Sequence, residues 1–332
     1  MKLAHNYIPA LKYGAKIMGT ELMGTMDIGN FYYVNAYTGD DNADGTTPDT
    51  AVKSCRQGLA LATANHHDTV YFIANSNTEA STADFLTSAL DWNKDGVNLI
   101  GIGNGNNTYI GSRSKIINAT TSACPANMFT LSANNCIISG LEIMHHNGVA
   151  DLSTAEICMV LSGMRNVIMN CQISGIGGSY LDTVGSASLY VTGAENYFSN
   201  CYIGLDTVIR AECLSEIIIG GSGGSAGTRN IFENCIINSY TSSTSFKGVL
   251  FSNASSHTMT IFKDCIFNAE QNRTSAAQPT GAIDPGSVAG HILDMRSGVF
   301  GYVEHCTGGS ALVEVVGPVG AADSNDSAPA GT

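Results

Sequence analysis

No Cys-x-x-Cys pair occurs anywhere in the chain, although it holds ten cysteines. That excludes the common zinc knuckles and the thioredoxin-type redox pair. The spacings are also too long for a small disulfide scaffold. Reduced, buried thiols are expected instead, and with them assembly in a reducing cytosol. Charge is scarce as well. Charged residues make up 13% of the chain, about half the usual share. The 15 basic residues face 28 acidic ones, a formal net charge of −13, so a nucleic-acid partner is excluded by repulsion from phosphates. No apolar run reaches the roughly 18 residues of a membrane span. The opening stretch MKLAHNYIPALKYGAKIMG carries no continuous apolar core of a secretory signal. Neither a membrane partner nor secretion is expected. Proline is rare too, with 7 against 37 glycines.

What the chain has is a repeat. Asn166–Cys171, Asn196–Cys201, Asn230–Cys235, Thr260–Cys265 and Gly301–Cys306 align as short apolar segments ending in cysteine. Cys136–Leu141 fits with leucine at the cysteine position. Leu141, Cys171, Cys201, Cys235, Cys265 and Cys306 step by 30, 30, 34, 30 and 41 residues. A second apolar segment precedes each: Met128–Leu131, Ile157–Leu161, Ser188–Val191, Ile217–Ile219, Val249–Phe251 and Ile292–Leu293. Turn pairs such as Ser162-Gly163 separate the two. One unit reads strand, tight turn, strand, variable loop. Neither strand can bury its apolar face alone, so the units must stack. The expected fold is all-β, a right-handed parallel β-helix of roughly eight coils, with Thr69–Ala74 and Val97–Ile102 in the first of them. Stacking places equivalent positions about 4.8 Å apart, and the cysteines then form an interior column.

Three domains are expected. Residues 1–30 form an extended anchoring arm, with Lys2, Lys12 and Lys16 against Glu21 and Asp27, and methionines at 1, 18, 23 and 26. Residues 31–316 form the β-helix, capped by a helix over 49–65 with Asp49 or Thr50 as N-cap and Val52, Cys55, Leu59 and Ala62 on one face. Residues 317–332 are a low-complexity tail.

The stretch Tyr32–Ser54, then the helix, then Asp68–Phe72 resembles the lead-in of pectin-lyase-like β-helix proteins. It is similar to versions in tailed-bacteriophage virion proteins and bacterial surface proteins. The resemblance implies the fold. It leaves chemistry open, because that family includes lyases, hydrolases, tailspike depolymerases and inert structural parts.

The sequence assigns no catalytic residue. Few cations appear in coil strands. Arg165, Arg210 and Arg229 are the nearest, each read as a turn residue. Asp182, Asp206, Glu212, Asp264 and Asp294 show no repeated pairing of the kind glycoside hydrolysis needs. His66-His67 and His145-His146 are read as surface loop residues. Gly101–Gly105 and Gly221–Gly227 are read as turns, since no helix follows either. Asp40, Asn42 and Asp44 match the first half of a calcium loop, but Ala51 stands where the bidentate glutamate belongs. They are a candidate structural Ca²⁺ site, the one cofactor expected.

The leading expectation is a structural protein of a bacteriophage particle, assembled in the host cytoplasm. It would decorate or stabilise the capsid as a homotrimer, gripping capsid or other virion proteins through residues 1–30. The alternative is a phage tailspike or polysaccharide-degrading lyase or hydrolase, with a surface glycan as partner.

Overall fold

A computed structural model describes residues 29–74, 83–103, 114–118, 125–145, 155–175, 182–221, 227–252, 259–271, 278–286, 292–306 and 313–316. The expected arm, except Gly29 and Asn30, and the whole expected tail lie outside them. The chain winds through three parallel sheets as a right-handed parallel β-helix. Among the described residues sheet A has ten strands, and sheets B and C have eight each. One coil runs Val167–Met169 in sheet A, Gln172–Ser174 in B and Ala187–Val191 in C, and the next begins at Tyr197–Ser199 back in A.

The A–B corner shows why this sequence turns where it does. Asn170, Asn200, Asn234 and Asp264 stand there at φ 52°, 52°, 53° and 52°. Asn and Asp tolerate this left-handed region best among residues with a Cβ, so a single residue makes the bend. At the C–A corner the left-handed residues are Asn135, Arg165, Glu195, Arg229 and Met259.

Between the corners the side chains form ladders. Ile138, Ile168, Phe198, Phe232 and Phe262 stand in register along the interior of sheet A. The rings of Phe198 and Phe232 stack at 4.4 Å, and those of Phe232 and Phe262 at 5.1 Å. Asn166, Asn196 and Asn230 make a buried amide ladder beside them. The backbone N–H of Asn196 donates to Asn230 Oδ1 at 2.9 Å, and Asn196 Oδ1 accepts from Asn166 N–H at 2.9 Å. The ladder thus satisfies polar backbone that the C–A corner would leave buried without partners.

The thiol column is real over Cys171, Cys201, Cys235 and Cys265, all buried and free. Each Sγ donates to the carbonyl two residues back: Met169 at 3.2 Å, Ser199 at 3.5 Å, Glu233 at 3.4 Å and Lys263 at 3.5 Å. A small apolar side chain with one weak donor suits this corner.

Several sequence expectations need correction. Cys306 does not continue the column. It lies in Glu304–Cys306 of sheet C, paired with Ile283. Ser297 takes the column position, 32 residues after Cys265, and its Oγ accepts from Cys265 N–H at 3.1 Å. Correspondingly, Ile292–Met295 belongs to sheet A, and Gly281–Asp284 is the sheet C strand of the preceding coil. The unit has three strands, because sheet B follows the cysteine with no glycine or proline to mark it. The capping helix is shorter than expected, Cys55–Leu61 with Ser54 as N-cap, after a 3₁₀ turn over Pro48–Thr50. It cannot start earlier, since Val52 forms a parallel bridge with Val34, and Asp41 holds the N–H groups of Lys53 and Ser54 at 2.7 and 2.9 Å. Gly101 lies within the strand Asn98–Ile102, not in a turn, where a Cβ would strike the Gly140 carbonyl.

Candidate functional site

The calcium candidates sit on an exposed loop. Asp40 Oδ1 accepts from the N–H and amide of Asn42 at 3.0 and 2.9 Å. Asp44 Oδ1 accepts from Thr46 N–H at 3.0 Å and from the Thr50 hydroxyl at 2.6 Å. These bonds hold both carboxyls below their ordinary pKa.

Of the scattered acids, Asp182 clamps a loop. Its carboxylate accepts from the N–H groups of Ala211, Glu212 and Cys213 at 2.5, 3.1 and 2.9 Å. Asp206 and Glu212 are exposed. Asp264 pairs with Arg296 at 2.6 Å. Asp294 is buried where the phenylalanine ladder ends, in register with Phe262, and meets His305 Nε2 at 2.5 Å.

Arg165 and Arg229 are turn residues as expected, and both pair with Glu195, at 2.7 and 2.5 Å. Arg210 is not. A register shift in the strand Tyr202–Arg210 returns it to pair with Thr241, and its side chain is fully buried. Its Nε lies 2.9 Å from Glu216 Oε1, and Glu216 Oε2 accepts from the Ser188 hydroxyl at 2.5 Å. The guanidinium also donates to the carbonyls of Val208 and, at 3.1 Å, of Gly175. Burial pushes the Glu216 carboxyl up, and the Arg210 charge pulls it back. This is an interior structural network with no side chain reaching solvent. His145 is likewise buried rather than on a surface loop, and burial lowers its pKa to about 4. Its Nε2 lies 3.9 Å from Glu156.

The outer face of sheet C is different. Ile157, Val160 and Ala187 pack there as a cluster separate from the core, with Tyr190 and Ile218 against them. One column on this face runs Val160, Tyr190, Ile218, Leu250 and Asp284. The neighbouring column runs Ser215, Lys247, Gly281 and Glu304. Glycine at 281 leaves the space between Lys247 and Glu304 without a side chain. Lys247 is only 9% exposed. Burial pushes its amine pKa down, while the carboxylates of Asp284 and Glu304, and then Cys306, oppose that shift. A partly desolvated amine within electrostatic reach of two carboxylates is the constellation on this face best able to move a proton. Sequence reasoning missed it by weighing arginines alone. The signal was the polar interruption in Lys247–Phe251, a strand otherwise apolar.

No family model matches this sequence, and no curated protein matches it. The solved structures it resembles are pectin-lyase-like right-handed β-helix proteins. A rhamnogalacturonan lyase matches with a TM-score of 0.59 at 14% identity, over 87% of this chain and 73% of that one. A pectin methylesterase from Aspergillus niger matches with a TM-score of 0.55 at 14% identity, over 91% and 89%. The pectate lyase Pel9A matches with a TM-score of 0.53 at 12% identity, over 86% and 68%. At such identities the likeness is one of fold. These neighbours are polysaccharide-acting enzymes by name, and nothing in the comparison supports the expectation of a bacteriophage virion role.

Proposed function

We propose that the chain acts on a polysaccharide lying along the outer face of sheet C, with Lys247 as the base that begins cleavage. The observation that carries this reading is the placement of the nearly buried Lys247 amine on the outer face of sheet C, one glycine away from Glu304 in its column and beside the column that ends in Asp284, with burial pushing its pKa down. In its neutral form the amine takes the C5 proton, which is acidified by the adjacent carboxyl of a uronate. The released electron pair forms a C4–C5 double bond, the C4–O bond breaks, and the leaving oxygen takes a proton from solvent. Asp284 and Glu304 then stabilise the ammonium that has formed.

Two of the neighbours are lyases by name, which is compatible with this chemistry, and a methylesterase shares the fold, so the fold alone does not choose the reaction. The competing reading of a displayed virion body anchored through residues 1–30 rests on a segment almost wholly outside the described residues.

The test is incubation with rhamnogalacturonan, pectin and polygalacturonate, following the ultraviolet absorbance of unsaturated sugar ends. Wild-type protein is expected to form product from at least one polymer. Lys247→Ala is expected to lose about 100-fold or more in rate, the scale of a general base. No product from any polymer, or full activity in Lys247→Ala, overturns the reading.

A further inference from the structure

Sheet A turns a strip of apolar side chains outward. Ile137, Val167, Tyr197, Ile231 and Ile261 stand in register on five successive coils. They alternate with the buried ladder from Ile138 to Phe262, so they point away from the core, and all five are part-exposed. The strip is about 19 Å long at the usual strand spacing. Single apolar residues on a surface mean little, but a contiguous run marks a contact surface. A parallel sheet that is apolar on its outer side as well is patterned to be covered on both faces.

Charge indicates what covers it. The chain carries a formal net charge of −13, so a second copy is repelled from most of its surface. On these five strands of sheet A and their corners the charges cancel: Arg165, Arg229 and Lys263 stand against Glu195, Glu233 and Asp264. Each is paired within the chain. Glu195 holds Arg165 and Arg229, Glu233 holds Lys263, and Asp264 holds Arg296. Two copies can therefore meet here without the repulsion that acts elsewhere.

The strip is also complementary to itself. Tyr197 is its middle residue. A twofold axis through Tyr197, along the strand direction, lays strip on strip with the two solenoids antiparallel. Val167 then faces Ile231 of the second copy, and Ile137 faces Ile261. The neighbouring outward column runs Ser139, Met169, Ser199, Glu233 and Lys263. The same rotation puts Glu233 opposite Met169 and Lys263 opposite Ser139, so no charge meets its like. Tyr197 sits on the sixth of the ten strands of sheet A, so nine strands overlap after the rotation. That overlap buries about 600 Å² per copy, ~1,200 Å² in all, at the lower bound for a specific interface.

We infer that the outer face of sheet A is a twofold interface between two copies of this chain, antiparallel and centred on Tyr197. The interface is reversible, in keeping with its size, and it is separate from the outer face of sheet C.

The test is sedimentation equilibrium over a concentration series, for wild type, Val167→Lys and Val167→Lys/Ile231→Glu. Wild type is expected to pass from monomer to dimer. Val167→Lys presses a charge against Ile231 of the second copy twice per dimer, and should weaken association about 100-fold. The double variant places each new lysine opposite a new glutamate only in the antiparallel arrangement, and should regain at least about tenfold of that loss. Hydroxyl-radical labelling of wild type needs no substitution. Labelling of Tyr197 should fall as concentration rises, while that of Tyr190 on sheet C stays constant. A wild type that remains monomeric, or one that closes as a trimer, overturns the inference. So does a dimer that Val167→Lys leaves intact, or one that protects Tyr190 instead of Tyr197. Loss in Val167→Lys without recovery in the double variant overturns the antiparallel register, because a parallel pairing would set Val167 on Val167. Low labelling of Tyr197 in a monomer at every concentration would give the strip to another segment of the same chain and overturn the inference.

Discussion

The guanidinium of Arg210 and the carboxylate of Glu216 meet at 2.9 Å inside the solenoid, and neither side chain is exposed. Each charge is tolerable only because the other is there. Removing one partner strands the other in low dielectric, at a cost of about 3–5 kcal/mol. Arg210→Met or Glu216→Leu alone is expected to lose that much in urea unfolding. The double variant, which removes both charges, should recover most of the loss. If the double variant is no more stable than the worse single one, the pair is not a coupled unit.

His145 gives the fold a predictable acid limb. Burial lowers its pKa from 6.5 to about 4. The unfolded chain then binds a proton at this position at higher pH than the folded chain does. The stability His145 contributes is therefore complete above pH 6.5 and is lost as pH falls toward 4. The size is about 3 kcal/mol. Urea midpoints measured between pH 7 and pH 4 should fall for wild type. His145→Gln should show a shallower fall over the same window, and parallel curves for the two proteins would refute the assignment.

The architecture was legible because the interior ladders repeat in sequence: a cysteine column and an apolar column recur with nearly constant spacing. Two things were hidden. The third strand of each coil follows a corner made by one left-handed residue, Asn170 or Asn200 for example, and such a turn carries no glycine or proline signal. The last coil was misaligned because Ser297 replaces cysteine, while Cys306 happens to end a similar-looking segment in another sheet. The site was harder still. Lys247, Asp284 and Glu304 come from three strands of sheet C and come within electrostatic reach of one another only through its register, with Gly281 between Lys247 and Glu304. Arg210 was misread for the same reason: the register shift that turns it inward has no local signature.

The thiol column makes a prediction of its own. Cys171, Cys201, Cys235 and Cys265 are buried within the solenoid, and burial pushes the Cys171 and Cys235 thiols well up. Burial keeps all four out of reach of a disulfide-exchange reagent in the native protein, and Cys171 and Cys235 are further protected because thiolate is the reactive form. They should titrate fully once the chain is unfolded in denaturant. Rapid labelling of these four under native conditions, located by peptide mass mapping, would contradict the packing.

Lys247 ties the proposed chemistry to pH. Its amine must be neutral to accept a proton, and burial shifts the folded pKa below the ordinary 10.5. The neutral fraction therefore appears at lower pH than for a surface lysine. Cleavage rates at saturating polymer should rise with pH along a limb whose midpoint lies below 10.5. Replacing Asp284 by Asn removes one of the two carboxylates that favour the ammonium, so it should move the midpoint lower still. Lys247→Arg keeps the charge but cannot lose its proton in this range, so it should abolish the limb together with the activity. A limb that stays in place in Asp284→Asn would place the titrating base elsewhere. If Lys247→Arg instead retained both activity and limb, the outer face of sheet C would still hold the glycan, but the proton would be taken by another group.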